Sequence, residues 1–315
     1  MDKARLLASV HAILRKSEFS VSDPRVVRSS SFDLVARRGD LILVLKADAS
    51  LDSVKREAGA EMRALAGCLN GKALIVSTHS TGGRLADGVV FSRSGVPAMT
   101  PSTLSDMFLE GVPPCVFAAP GGFFVRLDGN TLRKARGERF SIKELAEAAG
   151  VSRKAIQMYE EGMGAMLDAA LRLEDFLNTG LIVPLDPFSL SSDAPDVQAP
   201  SPRASGLERE VCNTLGELGY DVVLTPKCPF DALTKEKAQS YLATIGRRNA
   251  GLVLRARATD CVARVAGQGS VVFTDVRGKE DVIGGTPVIS QKELLGMGRP
   301  KDLQNLINER KRRSR

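Results

Sequence analysis

A chain of 315 residues with 43% hydrophobic side chains has room for roughly two or three domains and is too apolar to be disordered throughout. Its 44 lysines and arginines against 37 acids leave a formal charge of +7, which favours a polyanionic partner. Five cysteines without C-x-x-C spacing, two histidines and no uncharged apolar run of about 18 residues argue against a disulfide framework, a metal or cofactor centre, a signal peptide and a membrane helix. A reduced, cytoplasmic protein is the expectation.

The first block opens on a helix with Leu6, Val10 and Leu14 in one stripe and His11 at its boundary. Phe19 and Val21 fall on a strand, Phe32-Asp33 opens a second, and LILVLKA, Leu41 to Ala47, is apolar enough for a buried third. A helix with Val54, Ala58, Met62 and Leu65 precedes the strand KALIVST, and GVPAMTPSTL, Gly95 to Leu104, follows. The expected order is helix, three strands, helix, two strands. With an aspartate opening the second strand, it resembles the restriction-endonuclease-like fold. Active members of that fold follow the aspartate with (D/E)-x-K on the next strand. Two carboxylates hold a divalent cation that activates water, and the lysine steadies developing charge. Asp33 and Lys46 match, but Val44 stands where the second acid belongs. The resemblance therefore implies a degenerate domain without catalytic residues, and Asp33 reads as a turn residue that accepts backbone N–H groups. Asp40 or Asp48 as substitute ligands keep a nuclease alternative open.

The join GVPPCVFAAPGGFFVRLDGN, Gly111 to Asn130, is hydrophobic and reads as a β-hairpin packed on the first domain. Beyond it, Ser141 with Glu144 three residues on forms a capping box at the start of a short helix. Gly150 ends that helix, Val151 plugs the turn and Ser152 caps a second helix, Arg153 to Glu160. Glu144-Leu145-Ala146, Gly150-Val151-Ser152, Ile156 and Tyr159-Glu160-Glu161-Gly162 resemble the lambda-repressor/Cro-like, or XRE-type, helix-turn-helix family. The pattern departs at Ile142, where a phosphate-binding glutamine is common. The resemblance implies a second helix in the major groove, with Ser152, Arg153, Lys154, Gln157 and Met158 at base edges or the groove wall. It places Arg133, Lys134, Arg139 and Lys143 along the DNA backbone and pairs Arg136 with Glu160.

Pro184 to Gly206 is rich in proline and serine and reads as a linker. The last block then repeats the first: Leu207, Val211 and Leu215 on a helix, Tyr220 and Val222, Pro226, Phe230-Asp231, a helix from Leu252 to Val265, GSVVFTDV, and GTPVISQKEL mirroring GVPAMTPSTL. Its strand YLATIG carries neither acid nor lysine. The Gly-Gly pairs Gly121-Gly122 and Gly284-Gly285 read as turns, Cys68, Cys212 and Cys261 as small buried hydrophobes, and ERKRRSR, Glu309 to Arg315, as a solvated basic tail.

The domains expected are an α/β restriction-endonuclease-like domain at 1–127, an all-α helix-turn-helix at 128–183, a linker at 184–206 and a second α/β domain at 207–315. The arrangement, with SFDLVARR and GVPPCVFAAPGG, is similar to a family of archaeal HTH-type transcriptional regulators. That resemblance implies a sequence-specific regulator of double-stranded DNA that is not an enzyme, needs no metal or cofactor and acts as a homodimer. Alternatives are a DNA-processing nuclease targeted by the helix-turn-helix, and a scaffold that engages the transcription machinery at promoters.

Overall fold

A computed structural model describes residues 2–26, 31–190, 206–225, 228–236, 239–278 and 280–313. Most of the expected linker and the last two tail residues lie outside them. The chain forms two compact units, one of residues 1–6, 48–53 and 75–193, the other of 7–47, 54–74 and 194–315.

In the first unit, Val89–Arg93 and Val96–Met99 form an antiparallel hairpin, and the latter runs parallel to Ile75 and Val76 at the end of the strand Lys72–Val76. Two residues with positive φ, Ser94 at 53° and Gly95 at 71°, make the connecting turn, a geometry that matches the twist of the flanking strands. The strand Val89–Arg93 is absent from the sequence expectation, because VVFSR is too short to stand out from its polar surroundings. Thr100 caps the helix Pro101–Phe108 by accepting the Thr103 N–H. The hairpin expected in the apolar join is present, with Val116–Ala119 antiparallel to Gly122–Leu127. It does pack on the first domain, since Val116–Ala119 pairs in parallel with Val89–Arg93.

Gly122–Leu127 also carries the helical part of this unit. It pairs with Ala165–Met166 and with Ile182–Val183, the short strands on either side of the helix Leu167–Leu177. Val125 and Leu127 point from this strand into a core of Leu132, Leu145, Ala149, Ile156, Tyr159, Ala170 and Leu173. Four helices, Gly129–Arg136, Ile142–Ala149, Arg153–Glu160 and Leu167–Leu177, close around that core.

The second unit holds two strand meanders. Ser20–Val21, Leu34–Arg38 and Leu41–Ala47 are antiparallel neighbours, with the helix Arg56–Cys68 against the last of them. From residue 206 onward, a helix Gly206–Glu217 leads into a six-stranded sheet. Asp221–Leu224, Ala232–Glu236 and Gln239–Ile245 are antiparallel, Gly269–Thr274 and Thr286–Ser290 add in parallel, and Val282–Ile283 closes the edge. The helix Ala250–Ala266 is the crossover, capped by Asn249 and ended by Gly267 at φ 71°. Val211, Leu215, Phe273, Ile289, Leu303 and Ile307 fill this core.

Two expectations change here. The three cysteines Cys68, Cys212 and Cys261 are half-buried rather than fully enclosed; burial still pushes the Cys212 thiol up to about 11. The basic terminus is not a frayed tail up to Arg313, because the helix Pro300–Arg313 continues to that residue. Arg310 is buried, donates to the Val288 carbonyl and pairs with Glu293 at 2.6 Å. The heptad-like spacing of Leu303, Ile307 and Arg310 puts that guanidinium on the core side of the helix.

Candidate nucleic-acid interface

The two central helices are set by their caps. Ser141 Oγ accepts the Glu144 N–H at 3.2 Å while Glu144 Oε2 accepts the Ser141 N–H at 2.7 Å and the Ser141 hydroxyl at 2.8 Å, and the two bonds to the carboxylate hold it below its usual range. Gly150 closes the helix at φ 68°, ψ 36°, the left-handed conformation that a side chain resists, and the Arg172 guanidinium fills the space beside it. Ser152 Oγ then accepts the Ala155 N–H at 3.1 Å and starts Arg153–Glu160. Both boundaries fall where the sequence places them.

Burial divides the second helix into two faces. Ile156 and Tyr159 are enclosed, whereas Ser152, Arg153, Lys154 and Gln157 are exposed. Met158 is half-buried, so of the five residues expected at the DNA it is the one drawn partly into the protein. Glu161, part of the sequence motif but not among the residues expected at the DNA, lies seven residues after Lys154 on the exposed side.

The far end of this helix is pinned. Glu160, whose side chain is 7% exposed, accepts from Arg136 Nε at 2.6 Å, and Arg133 Nε approaches the same carboxylate at 3.7 Å. Gly129 begins the helix that carries both arginines, and a side chain there would collide with the Glu160 carbonyl at 2.4 Å. Close backbone approach therefore requires glycine at this position. Asp128 caps the same helix through the Asn130 and Thr131 N–H groups and the Thr131 hydroxyl.

Of the four expected backbone contacts, Lys134 and Arg139 are exposed, and the Arg139 guanidinium lies 5.6 Å from the Phe140 ring centre. Arg133 is engaged with Glu160, and Lys143 with Glu147 at 3.7 Å. The Lys143–Glu147 pair is exposed and weak enough for a phosphate to displace, whereas the carboxylate that Arg133 shares with Arg136 is nearly buried.

The nuclease-like positions have their own geometry. Asp33 accepts a backbone N–H as expected, but from the neighbouring strand: its Oδ2 takes the Ala47 N–H at 2.9 Å, and its own N–H donates to the Leu45 carbonyl. Val44 is fully buried, and Lys46 is buried at 6% exposure. In the last block, Asp231 Oδ2 accepts the Ile245 N–H at 2.6 Å and an ion-paired hydrogen bond from Arg255. Burial pushes the Asp231 carboxyl up, and the Arg255 charge opposes it. Among the described residues no group of three or more metal-ligating side chains is suitably placed, and no helix is long and apolar enough to cross a membrane.

Comparison with known proteins matches residues 3–114 to the PD-(D/E)XK superfamily domain and residues 132–182 to the helix-turn-helix family model. Over the full length, the chain is 36% identical to a protein of Methanocella arvoryzae named "Putative HTH-type transcriptional regulatory protein", covering 98% of this chain and 97% of that one. Proteins of the same name in Halorubrum lacusprofundi and Methanococcoides burtonii are each 33% identical, over 98% and 99% of both chains. The chain belongs to this family of archaeal HTH-type transcriptional regulatory proteins. These relatives align with nearly the whole of this chain, across both its nuclease-like and its helix-turn-helix parts. No solved structure matches.

Proposed function

We propose that this protein is a sequence-specific DNA-binding transcription regulator of the cytoplasm. The observation that carries the reading is the helix Arg153–Glu160, which buries Ile156 and Tyr159 and leaves Ser152, Arg153, Lys154 and Gln157 outward on a framework matching the helix-turn-helix model. Arg153 and Lys154 suit guanine N7 and O6, Gln157 suits adenine, and Met158 serves the groove wall. Lys134 and Arg139, with Arg133 and Lys143 once released from their acids, follow the phosphates. One such unit reads only a few base pairs, so the regulator acts as a homodimer on two half-sites and contacts the transcription machinery from there. Chromatin immunoprecipitation tests the reading: discrete promoter peaks are expected, and diffuse occupancy would overturn it.

The helix-turn-helix lies between two α/β blocks that descend from one duplicated domain, with limits near 1–127, 128–183 and 207–315 joined by 184–206. Three equivalences support the duplication. Asp33 and Asp231 each accept an N–H from the strand that follows. Asn70 at φ 51° and Gly267 at φ 71° end the central helices. Ser94-Gly95 and Gly284-Gly285 make the same positive-φ turn.

The match to a PD-(D/E)XK domain favours nuclease action as a second reading. Against it stand Val44 and Leu242 at the second-acid position and the Arg255 guanidinium on Asp231, so the protein is not an enzyme and uses no metal.

A further inference from the structure

The face between the two α/β blocks, all of it within one compact unit, carries more than a linker-tethered domain would need. The helix Ala250–Ala266 packs against the strand Leu34–Arg38 of the other block. Arg37, on that strand, donates from Nη1 to the Ala266 carbonyl at 3.2 Å, at the helix C-terminus where unpaired carbonyls concentrate negative charge. The Arg37 guanidinium also occupies the space a side chain at Gly267 would take. One turn earlier in the helix, Cys261 Sγ accepts the Asp23 N–H at 3.3 Å, from the loop that precedes the same strand.

If the blocks are repeats, this contact has a calculable mirror image. Arg37 lies four residues after Asp33, and Lys235 lies four after Asp231, on the equivalent strand Ala232–Glu236. The helix equivalent to Ala250–Ala266 is Arg56–Cys68, closed by the same pair of bonds. Gly71 N–H reaches the Ala66 carbonyl at 2.7 Å and Gln268 N–H the Ala263 carbonyl at 2.8 Å. The mirror image of Arg37 on Ala266 is therefore Lys235 at the end of Arg56–Cys68. Lys235, exposed on its strand, lies within electrostatic reach of that end: burial raises the Cys68 thiol and the Lys235 ammonium opposes that rise. The loop before the equivalent strand matches too, since Cys228 lies within the field of Glu61 and Cys68 on the same helix.

We infer that the two α/β blocks pair reciprocally as a dimer fused into one chain, each laying a basic residue of its second strand, Arg37 or Lys235, on the C-terminus of the other's central helix. The pairing face is thereby filled from within the chain. Two copies of the protein that assemble on DNA meet through some other surface. The inference rests on the duplication proposed above and is independent of DNA reading.

The test uses the full-length protein, mixed from ordinary and heavy-nitrogen cultures, treated with a short thiol–amine crosslinker and mapped by mass spectrometry. A Cys68–Lys235 link is expected within light chains and within heavy chains, with no mixed pairs, and is lost in Cys68→Ala. A second arm uses Arg37→Lys with Gln268→Cys to read the opposite contact, which stands whether or not the blocks are repeats. A link in that arm without a Cys68–Lys235 link would overturn reciprocal pairing and leave the duplication resting on its turns and aspartates. Absence of both links, or light–heavy links in either arm, would overturn the fused dimer.

Discussion

Arg153 and Lys154 stand on the first turn of a helix whose opposite side is committed to the core through Ile156 and Tyr159, so neither has a packing duty. Removing such a side chain changes binding without changing the fold. Arg153→Ala is expected to lose about 1 to 3 kcal/mol at the preferred site and to relax its base choice, as measured by fluorescence anisotropy and site selection. Unchanged affinity and preference would place the helix outside the groove. Both were legible as outward first-turn residues from their distance to Ser152 and Gly150, because capping and turn chemistry are local and fix the numbering of every helical face. Arg255 was not. It sits 24 residues from Asp231 in sequence, and only the crossover of the helix Ala250–Ala266 over the sheet brings the two together.

At the scale of elements, the second helix is held at both ends: Ser152 caps its start, and Arg136 grips Glu160 at its finish. The Arg136–Glu160 pair was legible, since the family motif supplies its spacing. Arg136→Met leaves a nearly buried carboxylate with only the longer Arg133 contact. It is expected to cost roughly 1 to 3 kcal/mol in urea unfolding, while Glu160→Gln in the same background recovers part of that loss. Equal stability of the single and double variants would show that the pair does not brace the helix. The terminal helix Pro300–Arg313 went the other way, because a run of arginines gives no sign in sequence of which one turns inward. Arg310 does, and Glu293 answers it. Burial alone would raise the Glu293 carboxyl, but hydrogen bonds from Arg310 and from the Ser290 N–H and hydroxyl bring it down to about 2, from a usual 4.5. A carboxyl depressed by folding contributes stability that is present above its unfolded value and is lost as pH falls through the folded one. Thermal stability is expected to fall between pH of about 4.5 and about 2, and Arg310→Met is expected to flatten that limb in differential scanning calorimetry. Deleting residues 310–315 would therefore disturb the core and is unsuited to testing a DNA contact of the tail.

For the molecule as a whole, the question is whether two nuclease-like blocks and a DNA reader add up to a cutting enzyme. A two-carboxylate metal site needs both acids free to face the cation, with solvent able to reach it. The first block offers Asp33, which spends one carboxylate oxygen on the Ala47 N–H, beside Val44, which no solvent touches. The last block offers Asp231 already neutralised by Arg255, with Leu242 at the equivalent of Val44 and Thr244, its hydroxyl turned to Thr259, at the equivalent of Lys46. The order of elements that suggested this fold was legible from apolar runs, as was the missing acid. The guanidinium standing on the second aspartate was not, since it depends on packing across the sheet. Purified protein is expected to leave linear, supercoiled and branched DNA intact in magnesium or manganese, even at concentrations that saturate its preferred site. Cleavage that disappears in Asp33→Ala or Lys46→Ala would establish the first block as a working nuclease and reduce the helix-turn-helix to its targeting arm. Cleavage that survives both substitutions would point to a contaminant.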